Sequence, residues 1–431
     1  MIFDALTGAI VRRLNRQVLR FPPSREQPRL PPADPEVNYL LYLHVPYCVV
    51  LCPFCSFHRV RFKPDRAAEY FACLRREIKI VTDAGYRFDE LYVGGGTPTV
   101  MPGELTRTVE LVRRLHALNA VSVETNPDDL EKESVQHLRD AGVNRLSVGV
   151  QSFDDDLLRE MERFEKYGSG ADIVRRLKRQ NGAFDTLNID MIFNLPHQSE
   201  ASLRRDLDIL VDEIGVDQVS YYPLMAATST RKSMRRSMGR VNHSHERRLY
   251  RIIVERLLEA GYTRNSAWCF SRQTGLFDEY IVDHEQYVGL GSGAFSYLDG
   301  SVYASTFSLN HYVRLVAGGV TATAQRRSMS DRDQMRYYLL MQLFTGSLDV
   351  SVAENRFAGR FRRTLWPELT ALRLIGALRD GDGRLVLTER GFYLWVVMMR
   401  EFFTGVGSLR DDMRHHISEE STVLEDFGKP Q

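Results

Sequence analysis

Residues 38–57, "NYLLYLHVPYCVVLCPFCSF", join an apolar run to three closely spaced cysteines. The run "NYLLYLHV" predicts a buried β-strand. Cys48, Cys52 and Cys55 follow it, although the whole 431-residue chain holds only five cysteines. Three clustered thiols in a chain of this size favour a metal or cluster site in a reducing compartment over a disulfide framework.

The composition is that of an ordinary globular protein. Apolar residues make up 43% and charged residues 26%, and there are 57 Lys and Arg against 56 Asp and Glu. This is enough apolar material for one large domain with a smaller one, and the near-neutral charge does not indicate nucleic acid binding. The sequence contains no run of about eighteen apolar residues and no signal-peptide pattern. We therefore expect a cytoplasmic protein.

Six short β-branched or apolar runs recur along residues 38–225, separated by segments with helical periodicity. The runs are "NYLLYLHV", "ELYVGG", "VSVETN", "RLSVGVQ", "TLNIDMIFN" and "QVSYYPL". Strands that alternate with helices predict a parallel sheet, and right-handed crossovers in series curl it towards a barrel. We predict an α/β fold with an incomplete (β/α)6 TIM-like barrel. Polar and Gly-rich residues fall near the predicted strand ends, where such barrels carry their chemistry: Gly94–Thr97, Glu124, Gln151 and Asp190.

The predicted domain organisation has four parts. They are an N-terminal amphipathic helical arm with a Pro-rich connector (residues 1–36), the barrel (37–225), a lid helix and hairpin extension (226–325), and an α+β winged-helix-like cap (326–431). In the arm, residues 2–21 predict a helix that packs onto the body, lies on an anionic membrane surface, or covers the active site. In the extension, "AFSYLDGSVYAS" predicts a hairpin with Asp299 and Gly300 at its turn.

The cysteine triplet by itself leaves two chemistries open. A structural zinc site takes four ligands, so His44 or His58 would have to complete it, because no second Cys/His pair follows. A [4Fe-4S] cluster takes one thiolate on each iron, so three cysteines leave one iron with an open coordination position. That position can bind a substrate or a cofactor directly.

The spacing Cys-x3-Cys-x2-Cys, just after the first strand of a predicted (β/α)6 barrel, resembles the radical S-adenosylmethionine superfamily. The resemblance implies that Cys48, Cys52 and Cys55 hold the cluster and that the open iron chelates S-adenosyl-L-methionine. It also implies that an electron from the cluster breaks a carbon–sulfur bond, leaving a 5′-deoxyadenosyl radical that abstracts hydrogen from a substrate. A flavodoxin- or ferredoxin-type protein is the expected electron donor.

A second motif, "GGGTPT" at residues 94–99, follows another predicted strand. It is unlike a P-loop, because no Lys follows and the outer spacing is missing. Glycines in this position serve either a tight turn or a close approach of the backbone to a ligand. Beside a cysteine triplet of this kind, we expect cofactor binding.

Five segments resemble one branch of the superfamily, that of the oxygen-independent coproporphyrinogen III oxidases. They are "YLHVPYC", "GGGTPT", "VETNP", "RLSVGVQSF" and "LNIDMIFNLP". The resemblance implies contacts to the cluster-bound S-adenosylmethionine from Tyr42, Gly95 and Glu124. It also implies a second S-adenosylmethionine, contacted by Phe54, Gly96, Thr97, Gln151, Arg163 and Asp190. These residue types suit the ligand, since carboxylates accept hydrogen bonds from ammonium or hydroxyl groups and arginine clamps a carboxylate.

Three departures from the branch shape the functional expectation. The porphyrinogen oxidases carry a further cysteine just beyond the triplet, where this chain has Ser56 and Phe57. The His-Asn element of the heme chaperones is missing ahead of "YVGLGSGAFS", and Asn194 replaces the glycine of the usual "GLP". We therefore expect a class C methylase- or cyclopropanase-like member, in which the second S-adenosylmethionine donates a carbon. The alternatives are oxidation or cleavage of a tetrapyrrole and a non-catalytic heme chaperone.

The basic segment "STRKSMRRSMGR" follows the sixth predicted strand. In a helix, Lys232, Arg236 and Arg240 share one face, and Arg231 and Arg235 share another. The segment is either a solvated basic helix or a lid that meets an anionic small molecule, such as a tetrapyrrole, a lipid or a polyketide-like chain. We take Arg231, Arg235 and Arg236 as candidate substrate contacts.

Overall fold

The structure is a computed structural model that describes residues 21, 27–130, 132–225, 230–273 and 284–417. The amphipathic helix predicted over residues 2–21 lies outside the described residues, apart from residue 21. Its membrane contact therefore stays a prediction. Among the described helices, none combines the length and the apolar character that a membrane crossing requires.

Six parallel strands form the centre of the fold, and each pairs with the next in chain order. The strands are β1 (Tyr39–Val45), β4 (Phe88–Gly95), β5 (Ala120–Thr125), β6 (Arg145–Gln151), β7 (Thr186–Phe193) and β8 (Gln218–Pro223). Two short strands, β2 (Tyr47–Cys48) and β3 (Val60–Arg61), pair with each other just after β1. The six strands predicted from the sequence and their alternation with helices are confirmed.

Helices connect the six strands and cover one face of the sheet, because right-handed crossovers in series place every helix on the same side. They span Pro64–Asp83, Pro102–Leu115, Lys132–Asp140, Asp155–Glu160, Phe164–Tyr167, Gly170–Lys178 and Glu200–Asp208, with a π-helical turn at Ile209–Ile214 and 3₁₀ turns at Pro98–Val100 and Pro127–Asp129. Proline begins the first two helices, and Ser169 and Ser199 begin two later ones with capping boxes. The opposite face of the sheet is left for a binding site.

The sheet extends beyond these six strands on both sides. Next to β1 lies β11 (Tyr287–Leu290), parallel to β1, followed by the antiparallel strands β12 (Phe295–Leu298), β13 (Ser301–Ser305) and β14 (Thr323–Ser328). Next to β8 lie the antiparallel strands β10 (Cys269–Ser271) and β9 (Thr263–Arg264). Within the described residues the sheet thus has twelve strands. Sequence reasoning did not find β11, because four residues that include a glycine carry no periodic signal.

The hairpin predicted between β12 and β13 is confirmed. Its turn consists of Asp299 and Gly300, whose φ angles are +46° and +66°. Positive φ at both central residues is the signature of a type I′ turn, for which Asp-Gly is a preferred pair. The boundaries of the four predicted domains stay predictions.

The remaining chain combines helices with a small sheet. The helices are Arg231–Ser237, Glu246–Glu259, Leu309–Ala317, Asp331–Phe344, Val350–Arg356, Phe361–Thr364, Trp366–Leu374 and Glu389–Ile417. The strands β15 (Ser347–Asp349), β16 (Leu378–Gly381) and β17 (Arg384–Leu387) form an antiparallel sheet. The strand-and-wing pattern predicted from "GRLVLTERG" corresponds to the β16–β17 hairpin, and the winged-helix-like cap as a whole stays a prediction.

A buried carboxylate joins the first long helix to the strands that extend the sheet. Glu77, on the apolar face of this helix, is fully buried. It accepts hydrogen bonds from Gly291 N (3.0 Å), Ala322 N (2.8 Å) and the Tyr312 hydroxyl (2.9 Å). Burial raises the pKa of Glu77, and the three donors oppose that rise. The helix is therefore tied to the loop that follows β11.

Replacing Glu77 by Gln should lower the free energy of unfolding by about 2 kcal/mol. The amide nitrogen of glutamine is a donor and would face a donor group from which the carboxylate of Glu77 accepts a hydrogen bond. Chemical unfolding followed by circular dichroism measures the change. Glu69→Gln is the matched control on the same helix, since the Glu69 side chain is 48% exposed. The control should change the free energy by less than about 0.5 kcal/mol. Equal losses in the two variants would contradict the role assigned to Glu77.

Candidate active site

The three cysteines lie on one loop that strand pairing closes at its base. Cys48 ends β2, and β3 returns beside it, so residues 49–59 form the loop between them. Backbone hydrogen bonds from Val60 N to Pro46 O (2.7 Å) and from Phe62 N to Cys48 O (2.9 Å) tie the two ends together. The loop is thus held at the carboxyl end of β1.

The thiols are sheltered from solvent. Cys48 and Cys52 are each 8% exposed, and Cys55 is half-buried. Burial raises the pKa of the Cys48 thiol to about 12, and the nearby Cys55 adds to the rise. A metal that binds here therefore has to displace the thiol proton. In the described part of the chain no three His, Cys, Asp or Glu side chains converge on a place for a single ion.

The backbone of the glycine motif packs against the start of the cysteine loop and donates hydrogen bonds to the chain just ahead of it. Gly96 N donates to Val45 O and Thr97 N donates to Tyr47 O, each at 2.8 Å. A Cβ on Gly96 would lie 2.7 Å from Tyr47 O and 3.0 Å from Cys48 Sγ. The Thr97 hydroxyl lies 3.6 Å from the same sulfur, to which it donates. Glycine is therefore required here by the close approach of two backbone segments.

Glu124 is held against the first two glycines of the motif. It accepts hydrogen bonds from Gly95 N (3.0 Å) and the Tyr92 hydroxyl (2.9 Å). A Cβ on Gly94 would lie only 2.6 Å from a carboxylate oxygen of Glu124. Burial raises the pKa of Glu124, while these hydrogen bonds and the positive charge of Arg145 oppose the rise. The structure therefore presents a partly buried carboxylate close to the cysteine loop.

His44, which sequence reasoning considered only as a zinc ligand, fixes the direction of the Tyr42 hydroxyl. His44 Nε2 lies 2.9 Å from His58 O, which can only accept, so Nε2 carries a proton. In the neutral ring, Nδ1 then accepts from the Tyr42 hydroxyl at 2.9 Å. A Cβ on Gly95, where φ is +119°, would lie 2.7 Å from the His44 ring. Both ring nitrogens are thus engaged within the protein.

Arg163 connects two of the cysteines through a hydrogen-bond network. Its Nη1 lies 3.5 Å from Cys52 Sγ, and its Nη2 lies 3.4 Å from Asn126 Oδ1. Asn126 Nδ2 donates to Thr97 Oγ1 at 2.8 Å, and Thr97 in turn contacts Cys48. The guanidinium also stacks on the Tyr167 ring at 4.3 Å. These contacts hold the cysteine loop against the ends of β4, β5 and β6.

One face of the sheet carries a network of polar side chains. Asp190 accepts hydrogen bonds from Ser147 and Asn188, each at 2.8 Å. Arg145 on β6 donates to Gln218 on β8 at 3.0 Å and 2.8 Å. Because β7 lies between β6 and β8, these two side chains bridge across it. Asp190 lies within β7, three residues before its end at residue 193, and so deeper than the strand-end position predicted for it.

The end of β6 is strained and anchored. Gln151 has a φ of +78°, a rare value for a residue other than glycine, and the pairing with β7 shifts register between Gly149 and Gln151. Asp206 holds the next two residues, accepting from the Ser152 hydroxyl (2.8 Å) and Phe153 N (2.9 Å). Burial raises the pKa of Asp206 to about 7. Strain of this kind is retained where the surroundings enforce it, often at functional sites.

Two aromatic residues lie on either side of Cys55 in the loop. Phe54 is half-buried and packs against the core. Phe57 is 46% exposed, and the guanidinium of Arg410 lies 5.2 Å from its ring centre. Arg410 belongs to the helix Glu389–Ile417. The C-terminal helix therefore reaches the cysteine loop.

The predicted basic helix lies beside the same loop. It spans Arg231–Ser237, buries Met234, and donates from the Ser233 hydroxyl to Pro53 O at 3.2 Å. Its exposed cations are Arg231, Lys232, Arg235 and Arg236. The prediction that Arg240 shares their helix is wrong, because the helix ends at residue 237 and Gly239 follows with a φ of +93°.

The comparisons with known proteins agree with this geometry. Residues 42–210 match the model of the radical SAM superfamily. The heme chaperone HemW of Mycobacterium tuberculosis is 30% identical over 319 residues, which cover 69% of this chain and 79% of that protein. The chain belongs to the radical SAM superfamily, in its HemN/HemW-like branch.

Two further radical SAM proteins extend the comparison. An oxygen-independent coproporphyrinogen III oxidase of Bradyrhizobium diazoefficiens is 29% identical over 324 residues, which cover 69% of this chain and 70% of that protein. The solved structure of the coproporphyrinogen III oxidase HemN of Escherichia coli has a TM-score of 0.73 at 23% identity and covers 85% of this chain and 91% of its own. The radical SAM fold of this chain is therefore similar to that of HemN.

The residues of this radical SAM protein fit the cofactors of the superfamily, a [4Fe-4S] cluster and S-adenosylmethionine. Among the described residues, Arg59 Nε and Arg163 Nε are buried without a hydrogen-bond partner. Other nitrogens of the same two guanidinium groups contact Cys52. Donors that lack an acceptor beside three thiols suit a cluster, because its sulfurs accept hydrogen bonds. The number of S-adenosylmethionine molecules and the roles of the individual residues that would contact them stay predictions.

Most of the predicted site residues come together at one end of the sheet, but not in the predicted groups. Thr97 and Arg163, assigned to a second S-adenosylmethionine, contact cysteines directly. His44 and Asn126 stand inside the quoted motifs "YLHVPYC" and "VETNP", so those motifs could have indicated them. Ser292, which lies 3.1 Å from His58, is 234 residues further along the chain; it stands inside the quoted segment "YVGLGSGAFS", but the sequence did not show that this segment meets the cysteine loop.

Asn194, which replaces the glycine of the usual "GLP", makes contacts beyond its own turn. Its φ is +64°, a left-handed value that explains why glycine is usual here and why asparagine is tolerated. The side-chain nitrogen donates to Glu246 at 3.2 Å, and Asn194 N donates to Gln198 at 2.8 Å. The asparagine therefore ties the end of β7 to the helix Glu246–Glu259.

Gly96→Ala should lower the iron content after anaerobic reconstitution several-fold, because the added methyl would meet Tyr47 O at 2.7 Å and Cys48 Sγ at 3.0 Å. Iron and sulfide per chain are the measured quantities. Gly103→Ala is the matched control, since a Cβ there meets no atom within 4 Å. Equal iron content in both variants would show that the close approach at Gly96 is not needed for the cluster.

Proposed function

We propose that this radical SAM protein uses S-adenosylmethionine at a [4Fe-4S] cluster to transform a tetrapyrrole. The closed loop that carries all three cysteines supports the radical chemistry. The tetrapyrrole is supported by the names of the relatives, which are a heme chaperone and coproporphyrinogen oxidases. Heme and coproporphyrinogen share a four-pyrrole macrocycle with carboxylate side chains, and the proposal extends that substrate class to this chain.

In this proposal Cys48, Cys52 and Cys55 hold the cluster. When bound, the cluster and S-adenosylmethionine supply an electron and a 5′-deoxyadenosyl radical. Glu124, held against the glycine backbone, accepts from the ammonium or a hydroxyl group of S-adenosylmethionine. Tyr42, whose hydroxyl is hydrogen-bonded to His44, is the neighbouring residue proposed to contact S-adenosylmethionine. The chain's own residues thus bind and orient the reactants.

Charge at the mouth of the site supports an anionic substrate. Within the described part of the chain, the structure pairs none of Arg231, Lys232, Arg235 and Arg236 with a carboxylate. The buried Met234 and the Ser233 bond to Pro53 fix their helix beside the cysteine loop. Carboxylates of a tetrapyrrole suit guanidinium groups in this position.

Methylation is the less supported outcome. That interpretation rests on Ser56, Phe57 and the residues predicted around a second S-adenosylmethionine, and neither relative named above carries the name of a methylase. The heme chaperone is the second candidate, because HemW of Mycobacterium tuberculosis is the relative at 30% identity. Tetrapyrrole transformation, methylation and non-catalytic heme binding predict different results, so one experiment can separate them.

The deciding experiment is anaerobic turnover of reconstituted protein with dithionite, S-adenosylmethionine, and either heme or coproporphyrinogen III. We expect 5′-deoxyadenosine to form and the tetrapyrrole to accelerate its formation, with a changed macrocycle detected by mass spectrometry. Cys52→Ala, which removes a cluster ligand, is the control. Stoichiometric heme binding without 5′-deoxyadenosine would favour the chaperone. S-adenosylhomocysteine and a product heavier by one methyl or methylene group would favour the methylase.

Charge reversal at both Arg235 and Arg236 should raise the KM for the tetrapyrrole about tenfold or more, which corresponds to about 1.4 kcal/mol of lost binding. The matched control reverses Arg204 and Arg379, two exposed arginines on other elements, and should leave KM unchanged. Steady-state kinetics measured by 5′-deoxyadenosine release reports the difference. A parallel loss of S-adenosylmethionine cleavage without tetrapyrrole would indicate a structural role for the basic helix instead.

A further inference from the structure

Arg59 closes the cysteine loop from within. It stands four residues after Cys55 and just before β3. Its Nη2 donates to two backbone carbonyls of the loop, Cys52 O at 2.6 Å and Cys55 O at 3.0 Å. A single nitrogen of Arg59 therefore holds the backbone at the second and third cysteines.

The charge of Arg59 has no carboxylate partner among the described residues; its hydrogen bonds go to the two carbonyls. Its Nε is buried and without a hydrogen-bond partner in the same part of the chain. A sheltered guanidinium needs a negative counter-charge, because burial of an unpaired charge is strongly unfavourable. Arg59 lies against Cys52 and Cys55, which would carry negative charge once they hold a cluster.

Arg59 differs from the other guanidinium beside the loop. Arg163 donates to Cys52 Sγ itself and stacks on Tyr167, so its charge is delocalised over several partners. Arg59 donates through Nη2 to backbone oxygens of the loop, and its Nε is buried without a hydrogen-bond partner among the described residues. Its charge therefore acts mainly through space on whatever the three sulfurs hold.

We propose that Arg59 is a positioning residue that acts as the fixed counter-charge of the [4Fe-4S] cluster and favours its reduced state. Reduction adds one negative charge to the cluster, and a cation in a sheltered place stabilises that charge. The two carbonyl contacts keep the cation in place in both redox states. The proposal rests on the cluster chemistry of the radical SAM superfamily and is independent of the tetrapyrrole substrate.

The test compares three variants after anaerobic reconstitution, without S-adenosylmethionine and without substrate. Arg59→Gln removes the charge and keeps side-chain donors for the carbonyls, whereas Arg59→Lys keeps the charge. Arg61→Gln is the control, since Arg61 is exposed and only two residues away. Each protein is poised at the potential that half-reduces the wild-type cluster. Electron paramagnetic resonance then gives the reduced fraction per four irons, so that incomplete loading does not affect the result.

We expect the ratio of reduced to oxidised cluster to fall about tenfold in Arg59→Gln, which corresponds to about 59 mV for a one-electron couple. Arg59→Lys and Arg61→Gln should stay near the wild-type ratio. If Arg59→Gln alone failed to take up iron, the result would also support a role for the positive charge. Arg59→Lys keeps that charge but lacks the forked donors of arginine, so loss of the donors could not explain the difference. An unchanged ratio in Arg59→Gln, or equal loss of iron from both Arg59 variants, would overturn the proposal. Since no tetrapyrrole is present, neither result bears on the substrate.

Discussion

The backbone hydrogen bonds between the end of β1, the glycine motif and the base of the cysteine loop are the constraint on which the site depends. Gly96 and Thr97 donate to the chain just ahead of Cys48, and Val60 returns to Pro46 from the other side. Because backbone hydrogen bonds hold the base of the loop in place, the cysteine side chains remain available for iron. A loop held only by its side chains would have to give up ligands to stay in place.

Buried and partly buried charged side chains are concentrated around this loop and on the sheet face behind it. Glu124 and Asp190 bring negative charge, and Arg145, Arg163 and Arg59 bring positive charge, with few direct ion pairs among them. Burying such groups is unfavourable unless partners compensate, so clusters of this kind mark places where a ligand completes the balance. S-adenosylmethionine, which carries an ammonium, a sulfonium and a carboxylate, has the charges to do so.

Segments far along the chain complete the surroundings of the loop. Ser292, in the turn after β11, bonds to His58, and Arg410 from the C-terminal helix lies over Phe57. The position at which the porphyrinogen oxidases carry a further cysteine thus holds an exposed ring covered by a guanidinium. At Phe57 the loop therefore meets the C-terminal helix.

The sequence by itself determined the cysteine triplet, the six alternating strands and the Asp299-Gly300 turn. Local spacing, periodicity and turn chemistry are sufficient for such features, since each depends on residues close together in the chain. Tertiary structure alone decided that Thr97 and Arg163 meet the cysteines and that β11 joins β1. It also placed Asp190 within its strand. These outcomes depend on which strands lie side by side and on where each strand ends. Neither the neighbour of a strand nor the place where it ends leaves a periodic signal in a segment of four to eight residues.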